Sequence, residues 1–289
     1  MNNPVADLAY LASIILFILS LKWLNSPETA RRGVRAGEAG MAIAILTTFF
    51  AGQIVHYNWI FLGLGVGGVV GIPLGFVKTT AVPQRTALSH SFGAMSAALI
   101  GISEYYITTA HTQPFGMVEI SLEVIIGALT FTGSLIAAGK LQEILPQRPI
   151  TYLGQNIVSL SILAAAVVLG IVLTFHPGWT MLFPIMVVIS LVFGVLLVTP
   201  IGGADMPTVI SLLNSYAGIA DALLGFVLNK PVLIVAGALD GASGLVLSII
   251  MCKAMNRSFT NVLFGAFGQV QPSKATAKEE RIVRSATPQ

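Results

Sequence analysis

His90 and Asn214 are polar groups set inside long apolar stretches, and their types point to proton handling. An imidazole titrates near neutral pH, with a reference pKa of about 6.5, so it can take a proton from one side of a barrier and release it on the other. Inside a bilayer such a group is costly and marks a functional site by default. An amide both donates and accepts, so Asn214 can orient an imidazole directly or through a water. The plainer alternatives are a neutral histidine bonded between helices and an asparagine acting as polar glue. Asp221 and Asp240 form a second layer further out. Two carboxyls at one depth on consecutive helices can share a proton, because like charges raise one pKa. They either continue a proton path outward or form a protonated, hydrogen-bonded structural pair.

The elements that must position these groups are membrane helices. The chain has 289 residues, of which 55% are hydrophobic and 9% charged, with a mean hydropathy of +0.86. A soluble domain carries about 25% charged residues. A spanning helix needs about 20 mostly apolar residues, and nine stretches qualify: roughly 5–24, 37–55, 58–77, 84–108, 119–138, 156–175, 180–199, 207–228 and 231–254. Turn signals separate them, among them Asn25-Ser26-Pro27, His176-Pro177-Gly178 and Asn229-Lys230-Pro231. The apolar runs are too long, and lack the alternation, for barrel strands. With the N-terminus outside and the C-terminus cytoplasmic, 14 of the 15 Lys and Arg residues fall on the inner side and only Lys230 outside. The expected fold is therefore an all-α polytopic bundle of nine transmembrane helices. Residues 1–268 form the membrane domain, and residues 269–289 form a polar cytoplasmic linker. The single Cys252 excludes an internal disulfide.

In this frame His90 and Asn214 each lie about seven residues from the inner end of their helix, roughly 10 Å deep. Asp221 and Asp240 lie about 14 residues in, roughly 21 Å. Asn214 shares a stripe with Ser211, Ser215, Gly218, Asp221 and Gly225; Gly237, Gly241, Gly244 and Ser248 form a bare ridge on the next helix, with Ser243 adjacent. Such ridges let helices approach closely and can leave room for water. Gly63-Leu64-Gly65-Val66-Gly67-Gly68 fits the letters of a dinucleotide-binding turn, which needs a preceding strand. Within a span, Gly63, Gly67, Gly71 and Gly75 read instead as a packing ridge. Asp205, in the cation-free inner loop Thr199–Pro207, is either a helix cap or a contact for a cytoplasmic partner. Glu104 and Glu123 are expected at the outer rim. No metal site and no nucleic-acid partner are expected.

Several runs resemble one family. Gly202-Gly203-Ala204-Asp205-Met206-Pro207 and Ser211-Leu212-Leu213-Asn214-Ser215-Tyr216-Ala217-Gly218 resemble the β subunit of proton-translocating nicotinamide nucleotide transhydrogenase. So do Gly237-Ala238-Leu239-Asp240-Gly241-Ala242-Ser243-Gly244, Leu88-Ser89-His90-Ser91-Phe92 and Arg31-Arg32-Gly33, and above all Ile250-Met251-Cys252-Lys253-Ala254-Met255-Asn256-Arg257-Ser258-Phe259. The resemblance implies hydride transfer between NAD(H) and NADP(H) coupled to proton passage, with neither nucleotide bound by this segment. It implies an α subunit carrying the NAD site and further membrane helices, an NADP-binding domain after the linker, a homodimeric assembly and a bacterial inner membrane. His90 would carry the proton and Asn214 would partner it. Asp205 would communicate with the NADP domain. Gly241, Ser243 and Gly244 would line or pack the channel, with Arg257 at its inner mouth. The family pattern has no aspartate at Asp221 and Asp240, and a serine is expected where Ala242 stands. The rival class is a proton- or cation-coupled secondary transporter or channel, although no internal repeat is evident.

Overall fold

The computed structural model describes residues 4–50, 56–108, 114–176, 178–256 and 259. Among them are nine α-helices and no strand: α1 (Pro4–Leu24), α2 (Ala30–Phe50), α3 (Tyr57–Gly75), α4 (Val82–Thr108), α5 (Pro114–Leu141), α6 (Gln155–Phe175), α7 (Leu182–Val198), α8 (Met206–Val227) and α9 (Pro231–Ala254). Six of the helical segments, those of α1, α3, α5, α6, α8 and α9, are long and apolar enough to cross a membrane. The 17-residue α7 is apolar but shorter. The second helix begins at Ala30, so Arg31, Arg32 and Arg35 belong to it rather than to a preceding loop.

Local chemistry sets the ends. Pro207 and Pro231 stand in the first turns of α8 and α9, where a missing N–H costs nothing. Past the end of α8, Asn229 takes φ +52°. Its N–H donates to Phe226 O (3.0 Å), and the Lys230 N–H donates to Gly225 O (2.8 Å). That pair of bonds is the Schellman closure, with asparagine in the left-handed position that glycine usually fills.

The fifth helix is the axis of the bundle. It packs against α4, α6, α7 and α8, and Met117, Val124, Ala128 and Ala137 on it are buried. The hairpins α4–α5, α8–α9 and α1–α2 supply the closest pairings. In α1–α2, Ser13 Oγ donates to Gly40 O (2.7 Å) and Ser20 Oγ to Gly33 O (2.8 Å). The third helix stands apart: none of its residues is buried. A Cβ added at Gly63, Gly67, Gly71 or Gly75 would meet nothing within 4 Å. Among the described residues, no element packs against the ridge expected to join α3 to another helix.

Candidate functional site

The α8–α9 seam gathers most of the polar groups singled out above. Glycine makes it possible. A Cβ on Gly218 would run into the backbone of Gly241 and Gly237, and one on Gly237 into Ala222 and Gly218. A Cβ on Gly244 would lie 2.7 Å from Asn214 Nδ2. Backbones this close let short side chains bridge the helices. Ser211 Oγ donates to Gly244 O at 2.9 Å. Asn214 Nδ2 donates to Asp240 O and to Asp240 Oδ1, both at 3.4 Å. Ser248 Oγ donates to Thr208 O at 3.4 Å. Ser243 Oγ stays within α9, donating to Asp240 O at 2.9 Å. Asn214 and Ser243 are half-buried and Asp240 is exposed on the surface of the chain.

His90 lies elsewhere. Half-buried on α4, it lines a groove of about 880 Å³ shared with Arg85, Ser89, Ser96 and the glycine face of α3. It stands eight residues into its helix, as does Asn214, so both lie at about 12 Å from the starts of α4 and α8. The two side chains nevertheless face different ways. The Asn214 amide is turned to Asp240 across the seam, while the imidazole looks into the α3–α4 groove.

Two charged residues hold positions that the sequence did not suggest. Glu123, expected at the outer rim, is 0% exposed. The helix starts at Pro114 rather than near residue 119, so Glu123 falls within the third turn. Proline at a helix start is the signal that would have moved it inward. Its carboxyl lies against Gly101 of α4, a position with no room for a Cβ. Both of its oxygens lack a hydrogen-bond partner. Lys140, one of the cations counted to the inner side, is 1% exposed. Its Nζ donates to Thr199 O and, at 2.7 Å, to Ile201 O just past the end of α7. A cation there complements the carbonyl end of the helix dipole.

Lys140 also ties together the two loops at this end. The Gly203 N–H donates to Gln147 O (2.8 Å), and the Ile150 N–H donates to Thr199 O (3.4 Å). Asp205 follows at the N-cap position of α8, half-buried, and its side chain makes no cap hydrogen bond. Arg257 and residues 269–289 lie outside the described residues. Gly63-Leu64-Gly65-Val66-Gly67-Gly68 sits wholly within α3, so it lacks the strand a dinucleotide turn requires.

A bundle of apolar helices with amide, hydroxyl and carboxyl groups drawn onto a glycine-lined seam defines a polytopic membrane protein. The chain belongs to the NAD(P) transhydrogenase beta subunit family, whose model matches residues 6–289. It is similar to the NAD(P) transhydrogenase subunit beta of Rhodospirillum rubrum, and to that of a named strain of the species. In each case it is 45% identical over 276 residues, covering 93% of this chain and 59% of the relative. The chain thus spans about three fifths of the length of the curated relatives it matches.

Proposed function

We propose that this chain is the proton-translocating membrane part of an NAD(P) transhydrogenase, coupling inward proton flow to hydride transfer from NADH to NADP⁺ by the complete assembly. All nine helices cross the membrane, with the N-terminus outside and the C-terminus in the cytoplasm of a bacterial inner membrane. Residues 1–268 form this domain, and 269–289 lead to an NADP-binding domain. An α subunit supplies the NAD site and further helices, and the assembly is a homodimer. NAD(H) and NADP(H) bind those other domains; the glycine run of α3 does not suit a nucleotide.

His90 takes up and releases the proton. Asn214, Ser243, Gly244, Asp221 and Asp240 form the polar seam along which it moves. Asp205 and Arg257 pass the state of the NADP domain to the membrane helices, a bistable element biased by a distant ligand. The observation that carries this reading is the seam itself. In a member of this family, Asn214 sits at the depth of His90 and reaches across to Asp240 through glycine-lined backbone. The test is proton uptake by proteoliposomes of the complete assembly during nucleotide turnover. His90→Ala should abolish uptake, and Asn214→Leu should slow it at least tenfold. Full uptake by His90→Ala would remove the histidine from the route.

A further inference from the structure

Between α5, α6, α7 and α8 runs a groove of about 620 Å³ that the proton route does not use. Leu129, Phe193 and Leu197, all buried, make its floor, and Ile157, Leu160 and Ile219, all exposed, make its lips. The groove begins at one end of the bundle, where Asn156 is the second residue of α6 and Leu197 the last but one of α7. It reaches Ile126 of α5 and Ile219 of α8, which lie 15 residues before the end of α5 and 13 after the start of α8, roughly 20 Å in. That is about the depth of one leaflet, half of a hydrocarbon core about 30 Å thick.

Polar chemistry gathers at the end where the groove begins. Asn156 Oδ1 is enclosed and has no hydrogen-bond partner among the described residues. An acceptor left in that state carries its full desolvation cost, which a donor from outside the chain removes. The loop before α6 adds a cation. The Ile150 N–H donates to Thr199 O, two residues beyond Leu197, so the segment carrying the exposed Arg148 runs past this end of the groove. Glu143 of the same loop is engaged by Gln147, whose Nε2 donates to its Oε1 at 3.2 Å. Deeper in, Tyr216 is the one polar residue among the lining side chains. The lining also argues against a further helix as the occupant. Helix interfaces in membranes are enriched in Gly, Ala, Ser and Thr. None of the ten lining residues is of those types, in contrast with the α8–α9 seam.

We propose that this groove seats one acyl chain of a glycerophospholipid, with the lipid phosphate against Arg148 and an N–H or O–H donor of its headgroup bonded to Asn156. The match is chemical at each level: a cation for the phosphate, an unpartnered acceptor for the donor, and an apolar channel of one leaflet's depth for the chain. Tyr216 stands two residues after Asn214 on α8, so the lipid chain lies against the helix of the polar seam from its other side. The site rests on the membrane placement of these helices and not on proton conduction.

The complete assembly in phosphatidylcholine vesicles tests it, with a trace of a lipid that carries a photoactivatable diazirine midway along one acyl chain. Two probes share that chain: a phosphatidylethanolamine, whose ammonium donates, and a phosphatidylcholine, whose methylated head has no donor. Labelling of the Leu160–Leu163 segment, normalised to the lipid-facing Leu11 on α1, should favour the first probe by about fivefold, what one hydrogen bond contributes. Asn156→Leu should bring that ratio to one, and Arg148→Gln should lower labelling by both probes. Leu163→Trp should block labelling of the segment while Leu163→Met keeps it, with labelling at Leu11 unchanged in both as the sign of an intact fold. Equal labelling by the two probes, an undiminished ratio in Asn156→Leu, unchanged labelling in Arg148→Gln or in Leu163→Trp, or a segment that no probe reaches overturns the site; the last result means that a polypeptide covers this face. Labelling is read at rest without nucleotide, so an assembly that moved no protons would sink the functional reading above and leave this result standing.

Discussion

Replacing Lys140 by methionine keeps the length of the side chain and removes only the ammonium. The loss can be worked from its bonds. Lys140 is 1% exposed and its Nζ donates to Thr199 O and Ile201 O, with a third, longer contact to Val198 O at 3.5 Å. A hydrogen bond to a charged donor contributes about 1.5–3 kcal/mol. The two shorter bonds therefore contribute at least about 3 kcal/mol, before any gain from no longer burying a charge, which works in the opposite direction. The bonds hold the Thr199–Asp205 loop against the end of α5, so the cost falls on that loop rather than on the whole bundle. Three kilocalories correspond to about two decades in a local opening equilibrium. Hydrogen exchange of the complete assembly should then accelerate at the Gly203 and Ile150 amides by about a hundredfold, and by at least tenfold if desolvation relief takes half. The amides of α8 around Leu213 should be unaffected. Lys140→Arg, which keeps the charge and the donors, should keep most of the protection. Unchanged exchange at Gly203 in Lys140→Met would refute the assignment of this lysine as the clamp on the loop that leads into Asp205.

Other perturbations separate tight packing from open surface. Gly218→Val forces a side chain against the Gly241 backbone and should destabilise by about 1–3 kcal/mol, seen as a lower melting temperature of the solubilised assembly. Gly67→Ala meets nothing within 4 Å among the described residues and should change stability by no more than about 0.5 kcal/mol in the same melt. Asn229→Ala should cost about 1–2 kcal/mol, because alanine pays the full left-handed penalty at φ +52°; Asn229→Gly should be neutral or better. Ser20→Ala removes the bond to Gly33 O while sparing the contact surface and should cost about 1 kcal/mol.

The helices were legible because burial in lipid writes itself into composition: runs of about 20 apolar residues leave few other readings. Helix ends were less so: starting α5 near residue 119 put Glu123 at a rim. The burial of Lys140 was not legible either. The positive-inside count fixes the side on which a cation falls, not what its head group touches. The seam of α8 and α9 was readable from spacing, since Gly218 and Gly225 on α8 and Gly237, Gly241 and Gly244 on α9 recur at helical intervals and their lack of side chains has one common use. The same pattern on α3 names a face without naming what covers it. Nor did equal depth for His90 and Asn214 establish contact: depth follows from residue counts, whereas facing depends on helix rotation, which sequence leaves free.

The face of α4 that carries His90 also runs between the two polar regions. His90 is eleven residues before Gly101 on α4, which returns it to nearly the same face three turns away, roughly 16 Å along the axis. Ala94 and Ala97 fill the intervening turns and are buried at 0% and 1% exposure. Ala97 packs with Ala220 of α8, the residue before Asp221, and Gly101 makes room for Glu123. One stripe of small residues on α4 thus begins at the edge of the open groove and ends against Glu123. Larger side chains on that stripe would part α4 from α5 and α8, whereas small ones keep the backbones close. A bulky substitution at Ala97 should therefore part α4 from Ala220 of α8 while leaving the α8–α9 seam intact, and proton uptake should fall with the Ser211–Gly244 bond preserved.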